Sequence, residues 1–308
     1  MNRAGLFKRM AKNRLAPVCA VILCVIVLGA LLAPLSPYDP DALSPDKLMG
    51  PCAEHLLGTD DLGRDTFTRA LYGGRVSLLV GFAAMAVAVV IGCLVGSVAG
   101  YAGGKVDAVL MRIVDVFLSV PSLLFIIVVY AFAPRNLVTL VFMLAFFSWT
   151  SVARVTRAQT LTLKQRDFVD AARALGAGHA RIILRYIMPN LLPQVIVAAS
   201  LAVANAILDE SALSFLGYGV QLPMASWGSM LQGAQQYILY SPVLALVPGL
   251  FILLTVLCFN VLGDTLQQAL DPRQLLSLFA SPGLSHFIFS KRGESHGGNR
   301  TNAVAAHV

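Results

Sequence analysis

Six long apolar runs separated by polar segments form the main pattern of this 308-residue chain. Each run holds about 17–26 residues, and a hydrocarbon core of ~30 Å is crossed by about 20 helical residues at ~1.5 Å each. The pattern therefore predicts an all-α membrane protein with six transmembrane helices. The six runs are Pro17–Leu35, Val76–Tyr101, Phe117–Ala133, Leu137–Ala153, Leu191–Leu208 and Pro242–Leu262.

The polar segments between the runs indicate how the chain is divided. We expect a basic N-terminus (1–15), a first transmembrane helix (16–35), a first loop (36–75), a five-helix core (76–273) that includes a polar segment at 154–190, and a tail (274–308) that is partly disordered.

Composition and charge support the membrane assignment and predict an orientation. The chain is 57% hydrophobic and 13% charged, whereas soluble domains carry about 25% charged residues. Most of its 23 Lys and Arg residues lie in segments that six crossings would place on one side, together with both termini. Because cytoplasmic loops are enriched in Lys and Arg, both termini are predicted to be cytoplasmic. The net charge of +7 follows this topology, so nucleic-acid binding is not predicted.

Residues 1–35 also have the basic-then-apolar order of a secretory signal peptide. The apolar stretch is longer than usual for a signal, and Pro34-Leu35-Ser36-Pro37 is not a small-residue cleavage site, so we expect an uncleaved helix. Four of the five cysteines lie in apolar runs and Cys52 is alone in the first loop. Neither a disulfide nor a metal site is therefore predicted.

Small residues recur at every fourth position of the second apolar run. This spacing allows two helix backbones to approach closely, and packing within the molecule is favoured over a dimer contact. The residues are Ala84, Ala88, Gly92, Gly96 and Gly100.

The polar segment at 154–190 contains a short amphipathic pattern. Its apolar residues are spaced for one helix face, and they are Phe168, Ala171, Ala172 and Leu175. Thr162-Leu-Lys-Gln165 matches a capping box at the start, and Gly176 takes the position of a left-handed C′ residue. A second amphipathic piece runs from His179 to Ile187 and is predicted to end at Pro189. From the pattern alone, an interfacial helix on lipid headgroups and a docking surface for a soluble partner are equally supported.

The spacing Asp170-Ala-Ala, three residues, Gly176, twelve residues, Pro189 resembles the coupling loop of permease subunits of ABC importers. That family usually has Glu where this chain has Asp170, and here Tyr186 and Met188 depart from its common residues. The resemblance implies that this loop docks on an ATPase subunit. The residues to which it assigns that role are Asp170, Ala171, Ala172, Leu175, Gly176 and Pro189.

Further signatures resemble the dipeptide/oligopeptide/nickel branch of this family. They are Leu57–Asp65 with Tyr72–Leu78, Glu210–Gly217 with Ser226–Gly228, and Asn260–Asp264 with Asp271–Arg273. The resemblance implies that some of these residues face the binding protein or have a structural role. They are Gly58, Asp60, Gly63, Arg64, Asp65, Gly217, Trp227 and Gly228.

The resemblance implies a type I ABC importer permease fold in a bacterial cytoplasmic (inner) membrane. It also implies a homologous second permease subunit, two ATPase subunits and an extracytoplasmic substrate-binding protein as partners. Peptides are the expected cargo, with nickel or a metal chelate as the alternative.

Catalytic motifs are absent from the sequence. It contains no Walker-type phosphate loop, no His-Glu-x-x-His and no Gly-x-Ser-x-Gly, so we expect no enzyme activity, with ATP and Mg bound by the partner ATPases. An intramembrane hydrolase lacks a nucleophile–base pair here, and an ATP-independent carrier gives the polar segment no role. Among polar residues within the apolar runs, Asn205 and Ser200 are the candidates for a transport pathway.

Overall fold

The computed structural model describes residues 14–270, which form helices and connecting loops with no β-strand. The helices are α1 (Leu15–Leu32), α2 (Thr66–Ala102), α3 (Gly104–Ser119), α4 (Ser122–Phe132), α5 (Leu137–Leu163), α6 (Asp167–Ala174), α7 (His179–Ile182), α8 (Met188–Phe215), α9 (Trp227–Ala234) and α10 (Val243–Leu270). The predicted N-terminal segment, apart from its last two residues, and the predicted tail lie outside the described residues, as does Asp271–Arg273.

Five helical stretches in the described part are long and apolar enough to cross a membrane, which confirms the predicted all-α membrane class. They are Leu15–Leu35, Thr66–Ala102, Leu137–Leu163, His179–Phe215 and Val243–Leu270. Several extend beyond the apolar runs, because polar residues continue a helix where it leaves the hydrocarbon. The first loop accordingly ends at Asp65, and α5 continues into the polar segment.

The third predicted span is not one helix. α3 and α4 meet at an angle of 84°, and only the bent pair together could count as a sixth crossing. The prediction of a continuous helix over Phe117–Ala133 is therefore wrong. Val120 adopts an extended conformation (φ −97°, ψ 130°) because the ring of Pro121 disfavours a helical residue before it. With 11 residues, α4 is only about 16 Å long.

The long helix α2 packs against α5 through its small residues, as predicted. A Cβ atom at Gly92 would lie 2.6 Å from the Cβ of Val152, and one at Gly100 would lie 2.7 Å from the Cβ of Thr160. Ala84 is completely buried in the same seam. The spacing of small residues is thus used within the molecule to bring two backbones together.

The two ends of α2 carry different structures. Its first turns contact the first loop (residues 36–65) and the α9 segment (residues 216–242). The contact with the α9 segment includes the Trp227 indole N–H, which donates to the Ala70 carbonyl at 3.0 Å. At its other end, the Tyr101 hydroxyl lies 3.1 Å from His179 Nδ1. The connection between α5 and α8 (residues 164–187, hereafter the elbow) therefore lies about 50 Å from the first loop along α2.

Candidate functional site

The elbow is built around the short helix α6, which ends as predicted. Gly176 has φ +79°, a left-handed conformation that residues with a Cβ rarely adopt. The Ala177 N–H donates to the Ala172 carbonyl at 3.0 Å, and the Gly176 N–H donates to the Arg173 carbonyl at 2.9 Å. This pair of bonds is a Schellman motif, which turns the chain sharply after α6.

The start of α6 differs from the prediction. The Thr162 hydroxyl donates back to the Ala158 carbonyl at 3.3 Å, because α5 continues to Leu163. α6 instead begins after Arg166, which provides no side-chain cap. The predicted capping box at Thr162 is therefore wrong. The acidic Asp167 and Asp170 occupy the first turn of α6, where negative charge is favourable next to the free amide groups.

One face of α6 packs against its own chain and another faces outward. Val169 and Ala172 are buried, in a cluster with Ile182, Ile187 and Leu191. The predicted stripe is therefore divided, since Ala172 belongs to the inner face. Its other members remain exposed: Phe168 at 38%, Ala171, and Leu175 at 87%.

Polar contacts fix α6 to the end of α2. The Arg173 guanidinium donates to Asp170 at 3.1 Å and lies 5.4 Å from the centre of the Tyr101 ring. The Tyr101 hydroxyl raises the pKa of Arg173 above its ordinary value. The Lys164 ammonium donates to the Gly100 carbonyl at 2.8 Å. The elbow is therefore held by both its apolar and its polar side chains.

Pro189 does not end the second amphipathic piece. It lies in the first turn of α8, and the helical stretch is continuous from His179 to Phe215. The preceding residues, Ile183–Ile187, form a wider π-type turn. Proline lacks the N–H that would bond to the carbonyl four residues earlier, and a wide turn accommodates this loss without breaking the helix. The helix therefore does not end at Pro189; it changes there from a π-type turn to a regular α-helix.

At the opposite end, the Leu57–Asp65 signature forms a compact loop around Asp60. The Asp60 carboxylate accepts the backbone N–H groups of Leu62 and Arg64, both at 2.9 Å, and the Arg64 side chain at 2.7 Å. Gly58 and Gly63 have φ of +75° and +77° and form the turns on either side. These signature residues therefore determine the shape of the loop.

Asp65 joins this loop to α2. Its carboxylate caps α2 by accepting the Thr68 N–H at 2.7 Å, and it lies 2.9 Å from His55 Nδ1. Because Asp65 is 4% exposed, its role within this chain is structural.

The later signature fixes the α9 segment. Trp227 is completely buried and stacks on Phe251, and Gly228 lies so close to Ser211 that a Cβ would come within 2.5 Å of the Ser211 carbonyl. Gly217 has φ +85°, where the chain leaves α8. The structure brings part of both signatures to one cavity of about 510 Å³, lined by Asp60, Arg64, Arg69 and Gly217 among others.

Two acidic residues at the end of the fifth apolar run were not among the predicted site residues. Glu210 is completely buried, and its carboxylate accepts the hydroxyls of Ser77 at 2.9 Å and Ser214 at 2.7 Å. Its neighbour Asp209 lines a second cavity. A charged residue following an apolar helix without a break is the signal that identifies them, because such residues are costly at membrane depth.

The two predicted pathway residues lie in different surroundings. Asn205 lines the cavity that contains Asp209, about 560 Å³ between the α3–α4 junction, α5 and α8. Ser200 faces α10 instead. Its hydroxyl donates to the Val197 carbonyl at 2.8 Å, and a Cβ at Gly263 would lie 2.6 Å from it. Within the described residues, the cavity therefore includes Asn205 and not Ser200.

Comparisons with known proteins agree with this architecture. A family described as the binding-protein-dependent transport system inner membrane component matches residues 88–276. The N-terminal TM domain of oligopeptide transport permease C matches residues 4–51. The chain is 42% identical to the dipeptide transport system permease protein DppC of Alkalihalophilus pseudofirmus, with 87% of this chain and 88% of the relative covered.

Two other relatives show similar coverage. Identity is 42% to the oligopeptide transport system permease protein OppC of Escherichia coli, over 86% of this chain and 89% of that protein. Identity is 38% to the glutathione transport system permease protein GsiD of Pectobacterium atrosepticum, over 87% of this chain and 90% of that protein.

Among solved structures, the MetNI methionine ABC transporter in an inward-facing conformation is similar with a TM-score of 0.54. The match covers 65% of this chain and 95% of that chain at 20% identity, and it shows a shared fold, the predicted type I importer permease fold. Together with its apolar helices, these matches make the chain a multi-pass inner-membrane protein. It belongs to the binding-protein-dependent permease family of ABC importers.

Proposed function

We propose that this chain is the transmembrane permease subunit of an ATP-driven importer of dipeptides or oligopeptides. It pairs with a homologous second permease subunit, and two ATPase subunits bind ATP and Mg and dock on the cytoplasmic side. An extracytoplasmic binding protein delivers the cargo. Both termini and the elbow are cytoplasmic, in agreement with the excess of Lys and Arg in these segments.

The observation that carries this proposal is the outward apolar face of α6 on a firmly held elbow. Phe168 and Leu175 are exposed at the end of the molecule, while Val169 and Ala172 anchor the same helix to its own chain. A short amphipathic helix with one face buried and one free is suited to fill an apolar groove of a partner.

The elbow is also connected directly to the helices that line the internal cavities. α5 leads into it and α8 leads out of it, and both line the 560 Å³ cavity. Because α6 packs against the start of α8, a displacement of the elbow by the ATPases moves the walls of this cavity. Coupling between ATP hydrolysis and transport requires an element of this kind, whose position depends both on the ATPase subunits and on the transport pathway.

The cargo is inferred from the relatives. The matched permeases are named for the transport of dipeptides, oligopeptides and glutathione, all of which are peptides or peptide-like. Within residues 14–270, no three His, Cys, Asp or Glu side chains are grouped as they would be in a metal site. The cavity of about 510 Å³ at the loop end, which involves Asp60, Arg64 and Gly217, is the proposed contact region for the binding protein.

The substitution Leu175→Glu tests the docking of the elbow. Leu175 is 87% exposed, so the protein should fold and insert normally, while a charge in the docking face should abolish ATPase co-purification and peptide uptake. The measurements are affinity co-purification and uptake of a radiolabelled dipeptide into proteoliposomes.

The matched control is Leu43→Glu, the same change at a leucine 72% exposed in the first loop. This variant should retain the ATPase subunits. Normal co-purification and uptake by the Leu175→Glu variant would contradict the docking role of the elbow. A helix that only rests on lipid predicts that result.

A further inference from the structure

A strip that contains three polar residues, one alanine and one leucine runs along one face of α8. Its members are spaced three or four residues apart, so they share one side of the helix. They are Gln194, Ala198, Leu201, Asn205 and Asp209. All five line one or both of two cavities, of about 560 and 350 Å³, which share Val155, Ala198 and Leu201. The two cavities therefore lie next to each other along α5 and α8.

Two polar groups on this strip have no partner within residues 14–270. The buried Gln194 Oε1 accepts no hydrogen bond. Asp209 makes neither a hydrogen bond nor an ion pair in the described structure. Its neighbour Glu210, pointing to the other side of α8, accepts hydrogen bonds from Ser77 and Ser214. These two adjacent acidic residues therefore differ: Glu210 is hydrogen-bonded within the chain, whereas Asp209 faces the cavity.

In the described part of the chain, no side chain of opposite charge faces the Asp209 carboxyl group from the cavity walls. Among the described residues, no Lys or Arg lines either cavity, and Asp209 is the one charged residue that does. A carboxylate at membrane depth is costly in contact with lipid, so this face is directed at water or protein. A cation that reaches the cavity is attracted strongly, because the surroundings screen charge less than bulk water does.

We propose that Asp209 binds the N-terminal ammonium group of the peptide during its passage, an inference that rests on the proposed function. The ammonium group is the cation that unmodified peptides share regardless of their side chains, so one carboxylate serves cargo of varied sequence. The Asn205 side chain lies one helical turn from Asp209 on the same strip and offers hydrogen bonds to the peptide backbone. Gln194 Oε1 lies about 22 Å from Asp209 along α8, so it offers a hydrogen bond at a different stage of the passage. Such contacts recognise a peptide by its main chain.

The experiment uses the complete transporter in proteoliposomes with saturating amounts of loaded binding protein. Uptake is measured for dialanine and for its analogue without the amino group, at concentrations at which direct binding assays show the binding protein to be filled. Variants are Asp209→Asn, Asp209→Glu, and Asp46→Asn as the control, which removes the same charge from an exposed position in the first loop.

We expect Asp209→Asn to lower dialanine uptake by about tenfold or more, as for the loss of a charged hydrogen bond. Asp209→Glu should recover part of the rate, and Asp46→Asn should match the unaltered protein. The reductions in uptake caused by Asp209→Asn and by omission of the amino group should not be additive, since each change removes the same interaction.

Additive losses, or normal dialanine uptake by Asp209→Asn, would overturn the inference and leave the proposed function intact. Failure of this variant to assemble with the second permease would also overturn it, by assigning Asp209 to an ion pair between subunits. Absence of peptide uptake by the unaltered transporter contradicts the proposed function itself, and the inference with it.

Discussion

Gly96 lies directly against the backbone of α5, where an added Cβ would come within 3.0 Å of the Arg157 nitrogen and closer still to the Ala153 carbonyl. Two of the three nearest atoms belong to the backbone and the third is Thr156 Cβ, none of which can move aside as the end of a flexible side chain can. This contact explains why small residues recur along α2. The seam they form joins the helix that carries the first loop to the helix that leads into the elbow.

The substitution Gly96→Ala is therefore expected to destabilise the protein by about 1–3 kcal/mol through overpacking. The matched control is Gly249→Ala in α10, where no atom outside the adjoining turns of its own helix lies within 4 Å of the added Cβ. There, alanine should be neutral or stabilising by up to about 1 kcal/mol, because glycine is a poor helix former. The midpoint of thermal unfolding in detergent measures both changes. Equal midpoints for the two variants would contradict this account of the seam.

Sequence reasoning at the residue scale was accurate where backbone geometry decides. The position of Gly176 after the last apolar residue predicted its left-handed conformation, because few other residues adopt it. It was inaccurate where packing decides. α6 has apolar residues on two adjacent faces, and only the contacts of Val169 and Ala172 with the rest of the chain show which face is inward.

At the scale of elements, the sequence did not distinguish prolines that interrupt a helix from prolines that lie within one. Pro121 breaks the third apolar run, whereas Pro193 and Pro248 lie inside helices and Pro189 lies in the first turn of one. The missing N–H of Pro189 is accommodated by the π-type turn that precedes it, and a proline in a helix interior likewise requires compensation by its surroundings. Because compensation depends on neighbouring helices, a single sequence does not reveal it.

Trp227 makes several of the contacts that hold α9. The indole N–H donates to the Ala70 carbonyl, the backbone N–H donates to the Ser77 hydroxyl at 3.2 Å, and the ring stacks on Phe251. We expect Trp227→Ala to release α9 from α2, with hydrogen exchange of residues 227–234 accelerated at least about tenfold.

The control for this prediction is Trp149→Ala, in a different cluster with Ala88 and Val114. It should lower stability by a similar mechanism without a selective effect on α9. Unchanged exchange of residues 227–234 in the Trp227→Ala variant would show that other contacts hold the element.

At the scale of the whole molecule, hydropathy predicted the spanning helices because lipid offers no hydrogen bonds to an unpaired backbone. It did not predict the cavities, since these depend on how several helices meet. The polar strip of α8 illustrates the difference. Asn205 was identifiable as a polar residue in an apolar run, whereas its place beside Asp209 required the positions of α3, α4 and α5.

The orientation in the membrane gives a direct test at this scale. In a chain whose cysteines are replaced by serine, Asp46→Cys in the first loop should react with a membrane-impermeant maleimide in intact cells. Arg166→Cys in the elbow should react only after permeabilisation. Both positions are exposed, so access depends on the side of the membrane. The reverse labelling pattern would contradict the predicted cytoplasmic elbow.

The π-type turn at Ile183–Ile187 lies between the face of α6 and the polar strip of α8. One residue corresponds to about 100° of rotation around a helix axis, so removing one residue from this turn reorients α6 relative to α8 by that angle. The composition of neither surface changes when this happens. The angle between the exposed face of α6 and the cavity-lining face of α8 is thus set by the length of one turn. A mutation that inserts or deletes a single codon is enough to change it.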